Sequence, residues 1–189
     1  MVGGRGRRRR AALRPPRAPG RTAGVSTRWN TDGGIHEIPL GTLAGRLWLC
    51  GKHVAAPDPD RLLADTGADA IVCLTERHEL LDRYPHYVRW LAADARAVWF
   101  PVHDLHAPDP VAARPFLDGL LDRLREGQGL VVHCAAGIGR AGTTAVALLV
   151  LDGWPLDDAL AHVRAHRPMA GPEVGAQLDL VRQLADERR

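Results

Sequence analysis

The chain has 189 residues, 46% of them apolar, and a formal net charge of +3. That length suits one domain able to bury a real core. Three cysteines, Cys50, Cys73 and Cys134, exclude a disulfide framework, and no paired metal-ligand spacing is present. No apolar run is long enough to span a membrane. The N-terminus is basic but lacks the apolar stretch of a secretory signal. Reduced thiols and the absence of a signal give a cytoplasmic location as the expectation.

The basic character belongs to the first thirty residues. They hold nine arginines and no acid, whereas the rest of the chain holds 16 basic against 22 acidic residues, a net of −6. Arginine, glycine, proline and alanine offer too little apolar surface to offset ordering entropy, so residues 1–30 read as a disordered basic tail. Arginine clusters without aromatics or a folded platform argue against a nucleic-acid partner. We read the tail as a solvated extension.

From His36 the chain alternates strands and helices. His36–Ile38 and Leu47–Cys50 read as short strands around a turn at Gly41–Gly45. Asp58 and Pro59 start a helix that Gly67 ends. Ala70–Leu74 is a continuous apolar run, as a strand covered on both faces would be. Cys73 lies in it and reads as core; the sharper alternative is a resolving thiol for Cys134. The charged stretch Thr75–Glu79 follows that strand's C-terminal end, where open α/β sheets place ligands. Arg77, His78 and Arg83 are its candidates for substrate contact, against the reading of a solvated helix start. Arg89–Ala95 reads as a helix and Ala97–Phe100 as the next strand.

The segment Phe100–Asp109 carries chemistry. Expelling an alkoxide or phenoxide needs a proton donor on the leaving oxygen, and an aspartate on a loop after a strand can supply it. Asp104 is the first candidate and Asp109 the second, with His103 and His106 read as polar loop residues. Leu117, Leu120, Leu121 and Leu124 then recur at helical spacing up to Gly127. Further on, Leu156–Val163 forms an amphipathic helix ending near Arg167, and a last helix is expected from Pro172 to Asp186.

Between these helices lies the most informative stretch, Leu130–Thr143. Three apolar residues form a buried strand. His133, Cys134, a glycine-bearing loop and Arg140 follow, and Thr144–Leu151 is apolar almost all round, as a central helix would be. The order strand, loop, helix puts backbone N–H groups at a helix N-terminus, where they can hold an anion. Gly137 and Gly139 let the loop curl without Cβ clashes. A free thiol ionises near pH ~8.5, and such surroundings favour the nucleophilic thiolate. Arginine can grip two oxygens of a phosphate at once. Phosphoryl transfer spreads charge over its equatorial oxygens, which a ring of N–H donors plus a guanidinium suits.

His133, Cys134, Gly137 and Arg140 resemble the His-Cys-x-x-Gly-x-x-Arg signature of the cysteine-dependent protein tyrosine and dual-specificity phosphatases. The resemblance implies a phosphate cradle of Ala135, Ala136, Gly137, Ile138, Gly139 and Arg140, with Cys134 as nucleophile. It implies that Asp104, matching the family's Pro-x-x-Asp loop, protonates the leaving oxygen and then activates water. His133 would fix the loop and favour the Cys134 thiolate. Gln177, in a segment from Arg167 resembling that of many dual-specificity members, would orient the hydrolytic water; as a residue it reads as a surface glutamine. No metal and no cofactor are implied, and the partner would be a phosphorylated protein or a small phosphoester. Ala141 departs from the family's Ser or Thr, whose hydroxyl helps cysteine leave the phosphoenzyme; Thr143 and Thr144 are the nearby substitutes. The expected architecture of residues 31–189 is one α/β domain, a central, mostly parallel sheet with helices on both sides.

Overall fold

The computed structural model describes residues 34–187. The basic tail of residues 1–30 lies outside them. The chain folds into five strands and eight helices among the described residues. The strands are β1 (His36–Ile38), β2 (Arg46–Gly51), β3 (Ala70–Cys73), β4 (Ala97–Trp99) and β5 (Gly129–Cys134). They form one sheet in the order β1-β2-β5-β3-β4. Only β1 runs antiparallel, against β2; the other pairings are parallel. The sheet is thus mixed but mostly parallel, as the run of apolar strand segments predicts.

Helices cover both faces. One core gathers Leu130, Val132 and Cys134 of β5 against α5 (Pro110–Arg125), α6 (Gly139–Asp152), α7 (Leu156–His166) and α8 (Gly175–Asp186). The other gathers Val131 of β5 with α1 (Lys52–Ala55), α2 (Pro59–Thr66), α3 (His78–Leu81) and α4 (Pro85–Ala93). The split follows from strand geometry, since alternate residues point to opposite faces. Every residue of α6 from Gly139 to Leu151 is buried, so its all-round apolar sequence makes it the central helix.

Several boundaries differ from those the sequence suggests. α6 begins five residues before Thr144, because Gly139 already takes helical backbone there. α4 begins at Pro85, whose fixed φ suits a first helical turn, and ends at Ala93. α8 begins at Gly175 rather than Pro172, because the segment before it wraps over the start of α6. There Gly171 N–H donates to Ile138 O at 3.3 Å, and Gly142 leaves room for the Gly171 backbone. The two four-residue helices α1 and α3 are too short to show an apolar period. Among the described residues no helix is long and apolar enough to cross a membrane.

Candidate active site

The centre of the sheet ends in the candidate cradle. β5 lies between β2 and β3, and Cys134 is its last residue, 3% exposed. Residues 135–138 turn from β5 into α6, with Gly137 at φ +75°. A side chain there would collide with Cys50 O, so the close approach and the backbone angle both demand glycine.

The loop carbonyls are all held from outside. Lys52 N–H donates to Ala135 O at 3.1 Å. Arg167, 3% exposed, donates Nη2 to Ala136 O at 2.8 Å and Nε to Gly137 O at 2.6 Å. Its Nη1 is anchored on Gly34 O at 2.7 Å and Leu49 O at 3.3 Å, and faces His36 Nδ1 at 2.6 Å. In a trans peptide, a carbonyl and the following N–H point opposite ways. Drawing three carbonyls outward therefore turns the N–H groups of Ala136, Gly137 and Ile138 inward, at the N-terminus of a long buried helix. Gly137 N–H donates to Cys134 Sγ at 3.2 Å. This arrangement is an anion-binding concavity with sulfur at its floor.

Arg140, on the first turn of α6, is 4% exposed. Its Nη1 and Nη2 grip both oxygens of Glu79 at 2.7 and 2.9 Å, and Nη1 also donates to Val102 O at 2.8 Å. Burial works against both charges, but the pairing outweighs it. Glu79 is held below the usual carboxylate range by Arg140, the Glu76 N–H and Lys52, and Arg140 is held above its ordinary value. Arg140 Nε is buried and has no hydrogen-bond partner among the described residues. A buried charged donor without an acceptor calls for an anionic ligand. The sequence offers Arg77, His78 and Arg83 from this region. The structure brings in Glu79 instead, while Arg83 lies over the Tyr84 ring. An acid just beyond a strand's C-terminal end, facing a phosphate-type arginine, is the signal that could have found it.

His133 is fully buried, and burial pushes its pKa down to about 4, so the ring is neutral near physiological pH. Its Nδ1 lies 3.3 Å from Cys134 O and its Nε2 lies 2.7 Å from Tyr87 OH. A carbonyl can only accept, so Nδ1 carries the proton and Tyr87 donates to Nε2. His133 therefore acts on the cradle through a fixed hydrogen-bond chain, not through charge. Cys50 and Cys73 pack in the core on the opposite face of the sheet from Cys134, and burial pushes their thiols up to about 12 and about 11. This placement removes the resolving-thiol reading of Cys73.

Asp104 sits on the loop after β4, with Oδ1 3.0 Å from Arg140 Nη2 and 62% of its side chain exposed. The loop is tethered on several sides. His103 pairs with Glu76 at 2.8 Å, His106 Nδ1 meets Asp104 O at 2.8 Å, and Phe100 stacks on Phe116 of α5. Asp109 caps α5 by accepting Val111 N–H at 2.8 Å, so the second candidate is taken up structurally. Gln177 is not a surface residue. It is 1% exposed, accepts from Glu173 N–H at 2.8 Å and Thr143 Oγ1 at 3.3 Å, and donates to His106 O at 3.1 Å. It ties α8 to the Asp104 loop from inside.

Ala141 is fully buried, and neither neighbouring threonine replaces the missing hydroxyl. Thr143 donates to Gln177, and Thr144 donates to Arg140 O at 3.0 Å. A hydrogen bond to a charged group contributes about 1.5–3 kcal/mol, so on the phosphocysteine chemistry that the sequence resemblance implies, its lack would slow departure of the cysteine about ten- to a hundredfold. Ala141→Ser is therefore expected to raise steady-state phosphate release by that factor. Pre-steady-state kinetics with p-nitrophenyl phosphate would show the initial burst shrinking; an unchanged turnover number would contradict this.

An α/β domain whose central strand ends in a cysteine cradle closed by a buried arginine is a phosphatase-type scaffold. The chain belongs to the family described as Swiss Army Knife protein, DSP-PTPase phosphatase domain, whose model matches residues 46–186. It is 38% identical over 71 residues to dual specificity protein phosphatase 1 of Arabidopsis thaliana, a match covering 37% of this chain and 34% of that protein. The chain thus spans about a third of that relative. Its fold is similar to Tk-PTP in the active form, with a TM-score of 0.63, 27% identity, and coverage of 80% of this chain and 97% of that one. It is also similar to PTPMT1 in complex with PI(5)P, with a TM-score of 0.61, 18% identity, and coverage of 81% and 95%. Among the described residues no group of three or more His, Cys, Asp or Glu is placed to hold a metal.

Proposed function

We propose that this domain hydrolyses phosphate monoesters on proteins through a phosphocysteine at Cys134. The observation that carries the proposal is Arg140. Its buried Nε lacks an acceptor, while its other nitrogens are locked to Glu79 and to the Asp104 loop. The cradle N–H groups and Arg140 bind the phosphate. Cys134 Sγ attacks phosphorus as the P–O bond breaks, and Asp104 gives its proton to the leaving oxygen. Asp104, now ionised, then takes a proton from water; the water oxygen bonds to phosphorus as the P–S bond breaks, the electron pair returns to Cys134 Sγ, and inorganic phosphate leaves.

Asp104→Asn keeps the shape of the side chain and removes the proton. It is expected to lower kcat/KM by about 10²–10⁴-fold, the usual worth of a positioned general acid. The loss should be greater for an alkyl phosphate than for p-nitrophenyl phosphate, whose leaving group needs little protonation. An equal loss on both would contradict the acid role.

Two other readings exist on this scaffold. A phosphoinositide phosphatase would be helped by cations in the loop, but its variable positions here are Ala135, Ala136 and Ile138. The missing hydroxyl at Ala141 favours a phosphopeptide-binding module that turns over slowly. A turnover panel of phosphotyrosyl and phosphoseryl peptides and phosphoinositides separates the three. Hydrolysis of the peptides supports the proposal. Hydrolysis of the lipids alone, or binding of peptides without any release of phosphate, would overturn it.

A further inference from the structure

Asp104 has to be held in place when it acts, and its contact with Arg140 is unsuited to that task. The 3.0 Å approach of Asp104 Oδ1 to Arg140 Nη2 is the ion pair of a carboxylate. A general acid must carry its proton, and a protonated carboxyl no longer pairs with a guanidinium as an anion does. The substrate's phosphate also takes up that guanidinium. Another contact must fix the loop in the acting state.

The loop does not hold its shape unaided. Leu105, the residue after Asp104, takes φ +58° although it is bulky, and its side chain is exposed. Such backbone persists only where the surroundings impose it. The flanks of the loop are anchored through the main chain. Val102 N–H donates to Leu74 O at 3.0 Å, Val102 O accepts from Arg140, and His106 O accepts from Gln177. Between these anchors His103, next to Asp104, reaches across to Glu76 on the loop after β3, with Nδ1 2.8 Å from Oε2. An ionised carboxylate can only accept, so Nδ1 carries the proton and donates it. His106 supports this corner from within the loop. Its ring meets that of His103 edge-on at 4.6 Å between centroids, and its Nδ1 lies 2.8 Å from Asp104 O.

Glu76 is in turn tied to the phosphate grip. Its N–H donates at 2.9 Å to Oε1 of Glu79, the same oxygen that holds Arg140 Nη1 at 2.7 Å. One residue therefore touches the arginine's clamp through its backbone and the acid loop through its side chain. His78 Nδ1, 4.0 Å from the same Glu76 oxygen, is beyond hydrogen-bond reach and leaves that oxygen to His103.

Resting on the phosphatase reading above, we infer that Glu76 and His103 are positioning residues, whose hydrogen bond latches the Asp104 loop to the Glu79–Arg140 clamp and so sets the general acid over the leaving oxygen. No proton passes through the latch, and Asp104 remains the acid. With side chains 64% and 30% exposed, the His103–Glu76 pair tunes the acid's placement by a small factor and does not create it.

His103→Ala and Glu76→Ala are each expected to lower kcat/KM for phenyl phosphate about fivefold, the upper end of what a partly exposed pair contributes. The fall should stay below about twofold with p-nitrophenyl phosphate, whose leaving oxygen needs little protonation. The double variant should be no worse than either single one, because both remove the same contact. Glu76→Gln, whose amide oxygen can still accept from Nδ1, should recover most of the loss. Inhibition by inorganic phosphate should match the wild type, since the Glu76 N–H bond to Glu79 survives every change of side chain. Unchanged kcat/KM on phenyl phosphate, equal losses on both esters, additive losses in the double variant, or weakened phosphate inhibition would overturn the latch and leave the Cys134 chemistry standing. A wild type that hydrolyses neither ester would instead bring down the phosphatase reading, and the latch with it.

Discussion

Cys134→Ser is expected to reduce phosphate release by about 10⁴-fold or more, the scale on which losing a catalytic nucleophile acts. A serine hydroxyl nearly matches the thiol in shape but is far harder to ionise, and no base is placed to take its proton. His133 is neutral, and both of its nitrogens are committed to Tyr87 and Cys134 O. The binding machinery does not depend on sulfur. The loop carbonyls remain tied to Lys52 and Arg167, and Arg140 remains locked to Glu79. The variant should thus hold a phosphopeptide at least as well as the wild type while failing to hydrolyse it. Fluorescence anisotropy with a labelled phosphopeptide, beside a phosphate-release assay, measures both. Substantial turnover by the serine variant would contradict the nucleophile. Loss of binding together with turnover would point to the sulfur holding the cradle's shape.

Arg140→Lys is the second large effect, expected to lower kcat/KM by about 10³-fold. The charge is kept, so the loss measures geometry. An ammonium cannot hold both Glu79 oxygens and still present a donor to phosphate in the same plane. Here the guanidinium also carries the carbonyl of Val102, two residues before Asp104. A lysine would therefore loosen the acid loop and leave the Glu79 carboxylate, 11% exposed, poorly satisfied. Competitive inhibition by inorganic phosphate should weaken in parallel, because the lost donor serves ground state and transition state alike. A loss below about tenfold would show that charge alone suffices and that the fork is unimportant.

The sequence made the fold legible wherever the pattern was long or punctuated. The apolar strands, the glycine-ended helices and the all-apolar α6 follow from local chemistry. The Cys134-to-Arg140 loop was legible because its residues are contiguous. What stayed hidden depends on contacts between distant segments. Glu79 reaches Arg140 across 61 positions, and Arg167 reaches Gly137 across 30. Neither contact leaves a periodic trace. Gln177 read as a surface glutamine because α8 offers polar residues on most of its turn, and only the packing of α8 on α6 shows which one is sealed. The threonines after Ala141 are open alternatives on sequence, because only the fold turns their hydroxyls to Gln177 and to Arg140 O. Boundaries near α8 were misread for a related reason. The Pro172–Val174 stretch could continue a helix locally, but it crosses the start of α6 outside any helix, with Val174 extended.

The proposed catalysis turns on a covalent bond between phosphorus and one sulfur. Wild-type protein mixed with excess phosphopeptide, quenched in acid within the first turnover and digested, should yield a phosphate mass on the peptide bearing Cys134. The peptides bearing Cys50 and Cys73 should remain unmodified. Turnover proceeding with no phosphate on Cys134, or with phosphate on another side chain, would contradict it.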